Sequence, residues 1–216
     1  MTVKKLLDLA RGELGVSESP AGSNKVKYND AYGGGPKAWC CVFIWWLFRQ
    51  AEASKLFYGG GKTAYAPTLL TFHRKAGQAV VGDYRPGDVI FFDFNGNGLP
   101  DHVGLCESWD GQNITTIDGN TGEGNEANGG AVMRRTRSGK TICGAYRPAY
   151  EEECSMDQQM FDTMMEDWLA RQAKEPPSSW SRMGEAKAVG VSDGTRPQSF
   201  ATREEVATMI LNAKER

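Results

Sequence analysis

Histidine is scarce in this chain of 216 residues, which has only His73 and His102, and its five cysteines (Cys40, Cys41, Cys106, Cys143, Cys154) are an odd number. Without paired C-x-x-C spacing, that set argues against a disulfide framework and against a zinc ribbon, so the thiols are either core or reactive. No segment approaches membrane-spanning length. The opening stretch "MTVKKLLDLARGELG" breaks its apolar pattern with Lys4, Lys5, Asp8, Arg11 and Glu13, so it lacks a signal peptide's continuous apolar core. The expectation is a soluble chain made in the cytosol that reaches any outside target by another export route. Concentrated positive charge is also missing. Residues 1–150 hold 17 Lys+Arg against 14 Asp+Glu and residues 151–216 hold 8 against 13, which gives the net charge of −2. Nucleic acid is therefore not an expected partner, and the one basic cluster, Arg134, Arg135 and Arg137, reads on an alternating strand as a solvated face.

The change of charge sign near Tyr150 suggests two domains, 1–150 and 151–216. Val3, Leu6, Leu7, Ala10 and Leu14 recur at helical spacing, with Thr2 as cap and Gly15 as stop. "VSESPAGSNKVKYNDAYGGGPK" lacks a period and reads as a surface loop. From Trp39 to Phe48 the chain is apolar on every side, the mark of a centrally buried helix, and a shorter helix follows Pro67 and ends at Gly77. Thereafter the period becomes two. "GDVIFFDF", "DHVGLCESW", "NITTIDGN", "GAVMRRTRS" and "TICGAYRP" are strand-like and separated by Gly/Asn turns. Helices followed by an antiparallel meander make an α+β domain. Beyond it, "EEECSMDQQ" reads as a linker, and Met160, Phe161, Met164, Met165, Trp168 and Leu169 form an apolar stripe on a helix, a pattern usual for core.

The adjacent thiols in "AWCCVFIWW" lie where the buried helix begins. There the dipole and free N–H groups favour a thiolate and can cradle an oxyanion. Both cysteines are close to that end and neighbouring positions point about 100° apart, so one thiol at most faces a given partner. Two core cysteines are the alternative. A cysteine nucleophile needs a base. His73 falls on an exposed-looking helix end, whereas His102 opens the strand "DHVGLC", where His102, Gly104 and Cys106 share a face with room for a helix to pack over it. In "TIDGN", Asp118 and Asn120 are two apart and leave one strand face together, so either can orient an imidazole, unless these letters are simply a turn.

In this order the stretches resemble the CHAP (cysteine, histidine-dependent amidohydrolase/peptidase) family, especially its phage endolysins. "AWCCVFIWW" resembles the family's Trp-Cys-Ala-x-Phe-Val-x-Trp signature, with Cys40 at the cysteine and Cys41 at the small position. "ELGVSESPAGSNKVKYNDAY", "RPGDVIFF" and "DHVG" are also similar to family segments, and "IDGN" to its Ile-Glu-x-Asn. The likeness spans roughly residues 3 to 148. It implies a papain-like (NlpC/P60-like) fold with helices packed on the sheet, Cys40 as nucleophile, His102 as acid and base, and Asp118 or Asn120 orienting it. Because Asp118 is one methylene shorter than the usual Glu, Asn120 gains weight as the orienting residue. Trp39 is expected to touch substrate. The implied substrate is Gram-positive peptidoglycan, cut as N-acetylmuramoyl-L-alanine amidase or as endopeptidase, after holin-dependent release from the host cytoplasm. A bacterial autolysin or toxin of this chemistry and an inactive wall-binding protein are the alternatives.

"DFNGNGLPD" offers Asp93, Asn95, Asn97 and Asp101 with Gly98 at the turn, like the first half of a calcium loop, but Gly104 stands where the twelfth-position Glu belongs. A Gly/Asn hairpin explains the same letters, so calcium is an optional ligand and no cofactor is required. The end of the chain, "WSRMGEAKAVGVSDGTRPQSFATREEVATMI", resembles one S-layer homology unit. That implies a small all-α domain in which Thr202, Arg203 and Glu204 meet a secondary wall polymer, Arg203 through an anionic glycan. A capped helix with solvated charges is the plainer reading, and self-association of the Met-rich unit is a further expectation.

Overall fold

The computed structural model describes residues 1–151 and 158–174, and the chain divides into two compact units, Met1–Glu153 and Cys154–Arg216. In the first unit, α1 (Val3–Gly12) begins where expected: Thr2 Oγ1 accepts the Lys5 N–H at 3.3 Å. It ends before Gly15, with Glu13 as C-cap.

The segment read as a surface loop contains a short helix, α2 (Lys27–Tyr32). Six residues are too few for a helical period to show in sequence or for a helix to hold alone. Packing stabilises this one. Tyr28 is wholly buried, with its ring 5.3 Å from Trp39, 5.1 Å from Phe43 and 5.1 Å from Trp46. Asn29 donates its amide to the Asn24 and Lys37 carbonyls at 2.8 Å each, closing the loop that leads to the next helix.

That helix, α3 (Cys40–Gln50), buries eight of its eleven residues, which explains why its sequence shows no polar face. Each fully buried Phe, Leu or Ile contributes about 1.5–3 kcal/mol, so α3 is the centre of the main core. Two further helices, α4 (Ser54–Tyr58) and α5 (Ala66–Lys75, with Pro67 in its first turn), cover the far side. His73, expected in solvent, is buried. Its ring stacks on Tyr146 with centroids 3.4 Å apart, and its nitrogens meet Gln78 Oε1 at 2.6 Å and the Phe57 carbonyl at 2.5 Å. Both ring nitrogens are occupied, so His73 has no free base.

The five expected strands form one antiparallel sheet: β1 (Val89–Phe92), β2 (His102–Trp109), β3 (Asn113–Thr121), β4 (Ala131–Ser138) and β5 (Ile142–Tyr146). Its order is β4-β3-β2-β1-β5, a meander whose last strand returns beside the first. Val89, Phe91, Val103, Leu105 and Ile117 join the helices in the main core, while Ile90, Phe92, Cys106, Ile114 and Ala145 form a smaller cluster on the other face. The unit is thus a mixed fold of helices against an antiparallel sheet.

In the second unit, α6 (Gln158–Lys174) exposes Phe161, Met164, Met165 and Trp168, so these four are not the core that their stripe suggested. The "EEECSMDQQ" linker lies largely outside the described residues, and the S-layer-like stretch with Thr202, Arg203 and Glu204 lies wholly outside them. Among the described residues, no helix is long and apolar enough to cross a membrane.

Candidate active site

Cys40 is the first residue of α3, and its N-cap Trp39 makes no side-chain cap. The first-turn N–H groups, which have no acceptor within a helix, are therefore not taken up by a capping side chain. Trp39 is placed otherwise than expected. It is fully buried, and its indole Nε1–H donates to Glu18 Oε1 at 2.8 Å, so it anchors the helix start and cannot form a substrate wall. Glu18 is itself buried and accepts the Asn24 N–H through Oε2 at 2.9 Å. The stretch containing Glu18 was legible as family-like, but nothing in its spacing told that this carboxylate anchors the start of α3.

The two neighbouring thiols have different surroundings. Cys40 is 7% exposed and Cys41 0%. Cys41 Sγ donates to the Thr63 carbonyl at 3.4 Å, and burial, with the adjacent Cys40, pushes its thiol well above its ordinary pKa. Cys41 is accordingly placed as a core thiol, and Cys40 is the more exposed of the two.

His102 and Asp118 are both wholly buried, and His102 Nε2 lies 3.1 Å from Asp118 Oδ2. A carboxylate accepts, so Nε2 carries the hydrogen in that bond. Nδ1 is buried with no hydrogen-bond partner, so it is the ring nitrogen open to a reacting group. Burial alone would lower the imidazole's pKa. The hydrogen bond to Asp118 and the influence of Asp118 and Cys40 outweigh it and lift His102 from 6.5 to about 9. For Asp118, burial acts upward, but the hydrogen bond and charge of His102 and the charge of Arg137 bring its pKa below the usual carboxylate range. Each partner thus favours the ionised form of the other.

His102 opens β2 and interacts with Cys40 at the start of α3, but the strand beyond it is not covered by a helix on this face. Alternation places His102, Gly104 and Cys106 on the side of the smaller cluster, and α3 packs against the opposite face through Val103, Leu105 and Ile117. Above Gly104 sits the Asp118 carboxylate instead. A Cβ added at Gly104 would lie 2.0 Å from Asp118 Oδ1, so the glycine of "DHVG" is space for the acid. Gly119 has a related role on the other side, where a Cβ would meet Phe43 Cβ at 2.4 Å and the Trp39 ring at 2.9 Å. Strand β3 therefore presses directly on the start of α3.

Asn120 is not brought to the imidazole. The β3–β4 register shifts between Asp118 and Thr121, and Asn120 adopts a φ of 61°, so the alternation that would place it beside Asp118 breaks down. Its Nδ2 donates to Asn128 Oδ1 at 2.8 Å, and its Oδ1 is buried without a partner. The shorter Asp118 still reaches His102. Arg137, read as part of a solvated face, is half-buried with its side chain turned inward, and it donates to Asp118 Oδ2 at 2.6 Å. Residue alternation could have suggested this, because Arg137 lies opposite Ile114 in the ladder, on the inward side.

In the 93–101 loop every side-chain oxygen is engaged by the loop itself. Asp93 accepts the N–H groups of Gly96, Asn97 and Gly98, and Asp101 accepts those of Phe94 and Asn95 as well as the Asn95 amide. Asn95 and Asn97 accept from Asn97 N–H and Leu99 N–H. Among the described residues no three His, Cys, Asp or Glu side chains gather as metal ligands. Asp93, Asn95, Asn97 and Asp101 form a self-braced turn that lacks the bidentate Glu closing a calcium loop.

A model of the CHAP domain matches residues 30–120, which include Cys40, His102, Asp118 and Asn120. The match covers the start of α3 and strands β1 and β2 with most of β3. No curated protein matches. Solved structures similar to this chain include the crystal structure of Ly7917 (17% identity, TM-score 0.45, covering 68% of this chain and 62% of that one). The crystal structure of Ly7917 with the hydrolyzing product of MDP is similar too (17% identity, TM-score 0.44, 68% and 63%). The chain spans less than two thirds of the length of either structure.

Proposed function

We propose that the first unit is a cysteine peptidoglycan hydrolase that cuts an amide bond of Gram-positive cell wall, as N-acetylmuramoyl-L-alanine amidase or as endopeptidase. The observation that carries this reading is the buried His102–Asp118 pair with Nδ1 unpartnered and the imidazole's pKa raised in part by Cys40, the residue that opens α3. The Cys40 thiol passes its proton to His102 Nδ1 and Sγ attacks the carbonyl carbon, and an oxyanion forms that the Cys40 backbone N–H stabilises. The C–N bond breaks as His102 Nδ1 gives its proton to the leaving amine, and a thioester remains on Cys40. Water then attacks the thioester, its proton passes to Nδ1, and the C–S bond breaks to release a carboxylate and restore the thiol. Asp118 holds the tautomer and orientation throughout, and Asn120 holds the neighbouring loop through Asn128. None of these steps calls for a metal. Any calcium bound by Asp93, Asn95, Asn97 and Asp101 would brace their turn.

Purified Gram-positive sacculi, digested with wild type, Cys40→Ala and Cys41→Ala and read by mass spectrometry, test the proposal. Wild type and Cys41→Ala should release the same fragments, whose new termini name the bond, and folded Cys40→Ala should release none. Silence of wild type on several wall types would favour an inactive wall-binding protein. The finer assignment, an endolysin of a phage or prophage that reaches the wall after holin-dependent release, rests on the family resemblance, and a holin gene beside this one would support it. Wall-polymer binding by the second unit rests on the Thr202–Glu204 motif, and loss of sacculus retention in full-length Arg203→Ala is its test.

A further inference from the structure

We infer that Arg137 is a positioning residue of the reaction: its guanidinium fixes the Asp118 carboxylate and through it the His102 ring, and Glu126 holds the guanidinium in turn. The kinetic consequence rests on the cysteine chemistry proposed above, while the geometry stands without it. Arg137 belongs to β4, outside the residues matched by the CHAP model.

Its side chain is only 7% exposed, and its donors are distributed on both flanks. On one flank Nη1 donates to Asp118 Oδ2 at 2.6 Å and to Thr116 Oγ1 at 3.3 Å. On the other, Nη2 and Nε donate to Glu126 Oε2 at 2.6 and 2.9 Å, and Nη2 also to Thr121 Oγ1 at 3.3 Å. The guanidinium carbon lies 4.9 Å from the Phe92 ring centroid and 5.4 Å from that of Phe94. The same two rings flank His102, with centroids 6.3 and 6.0 Å from the imidazole. Imidazole and guanidinium thus share one aromatic floor and one carboxylate oxygen.

The need for such a clamp follows from the carboxylate. Asp118 Oδ1 is buried without a partner over Gly104, so Oδ2 alone fixes the group's rotation. A single hydrogen bond to His102 would allow the carboxylate to turn as the ring moves between thiol and leaving group; a second, charge-assisted bond from a rigid fork prevents it. Glu126 supplies the countercharge, so that Arg137 does not cancel the field Asp118 exerts on the imidazole. Arg135 pairs with the same Glu126 and fixes it from the solvent side. Thiol, imidazole, carboxylate, guanidinium and carboxylate form one row of alternating charge.

Full-length Arg137→Gln, Arg137→Lys and Glu126→Gln, compared with wild type, test the inference by hydrolysis of solubilised peptidoglycan, thermal melts and imidazole NMR. The chain has two histidines, so His73, bonded to Gln78 and Phe57, is an internal reference. Arg137→Gln is expected to lower kcat about 10- to 100-fold, by analogy with losing a residue that orients a metal-bound histidine from its second hydrogen bond, with KM little changed. The His102 Nε2–H resonance should shift or broaden while that of His73 stays. Arg137→Lys should regain part of kcat, and Glu126→Gln should show a smaller loss in the same direction. Where Arg137→Gln does not fold, the other two variants carry the comparison. An unchanged kcat with an unmoved His102 resonance in the folded variants would overturn the inference, as would a rise in KM alone. If wild type cuts nothing, the proposed function fails, and the NMR comparison still decides the role of Arg137.

Discussion

Gly104→Ala isolates the part of the site that the strand itself builds. The added methyl carbon would lie 2.0 Å from Asp118 Oδ1, 2.9 Å from its Cγ and 3.1 Å from Thr116 Cβ. Ordinary contact begins near 3.4 Å, so the carboxylate must retreat by about 1.4 Å or the strands must part. Its bond to His102 already measures 3.1 Å, and a retreat of that size takes it past hydrogen-bonding distance. Overpacking of this kind costs about 1–3 kcal/mol of stability. Loss of the carboxylate's control of the imidazole costs up to about 10⁴-fold in serine hydrolases. Gly104→Ala should therefore remain folded at 25 °C with a lowered Tm and lose roughly 10²- to 10⁴-fold in kcat on sacculi. Alanine is otherwise no worse than glycine in a strand, so backbone conformation cannot account for the loss. Full activity with an unchanged Tm would refute the placement of Asp118 over Gly104.

The remaining expectations concern charge, anchoring and ions. Because His102 is raised to about 9, the imidazolium that protonates the leaving amine persists through neutral pH and is lost above about 9. The rate should fall on the alkaline side there, and a fall centred near 6.5 would contradict the ion pair. Glu18→Ala removes the acceptor of the buried Trp39 N–H, at a cost of about 1–3 kcal/mol, so melts should drop and hydrolysis with them. Glu18→Gln should recover most of both. Exhaustive chelation should leave hydrolysis by wild type intact, since thiol, imidazole and carboxylate carry the steps; a rate restored only by added calcium would show otherwise.

Much of the first unit was legible because its signals are periodic or local. Five alternating runs became five strands, Thr2 capped a helix, and the unbroken apolar stretch from Trp39 became the central helix. What stayed hidden depends on contacts distant in sequence. The α2 helix exists because Tyr28 packs among Trp39, Phe43 and Trp46, and no six-residue window contains that fact. His73 looked solvated because it follows a polar helix end, yet Tyr146, seventy-three residues away in sequence, stacks on it. Within the site, chemistry and chain order singled out Cys40 and His102 as the pair to propose. Alternation gave Asp118 and Asn120 equal standing, and the β3 irregularity that separates them leaves no mark in "IDGN". The same local reading dispersed Arg137 into a surface cluster, although its ladder partner Ile114 is wholly buried.

The central claim is that Cys40, alone among the thiols of the first unit, is the nucleophile. Limiting iodoacetamide followed by peptide mapping and residual activity on sacculi tests it most directly. Carbamidomethylation should accumulate on Cys40, with activity falling in proportion and Cys41 and Cys106 unmodified, and His102→Ala should slow the labelling. Activity that survives complete modification of Cys40, or that disappears as Cys41 is labelled, would contradict it.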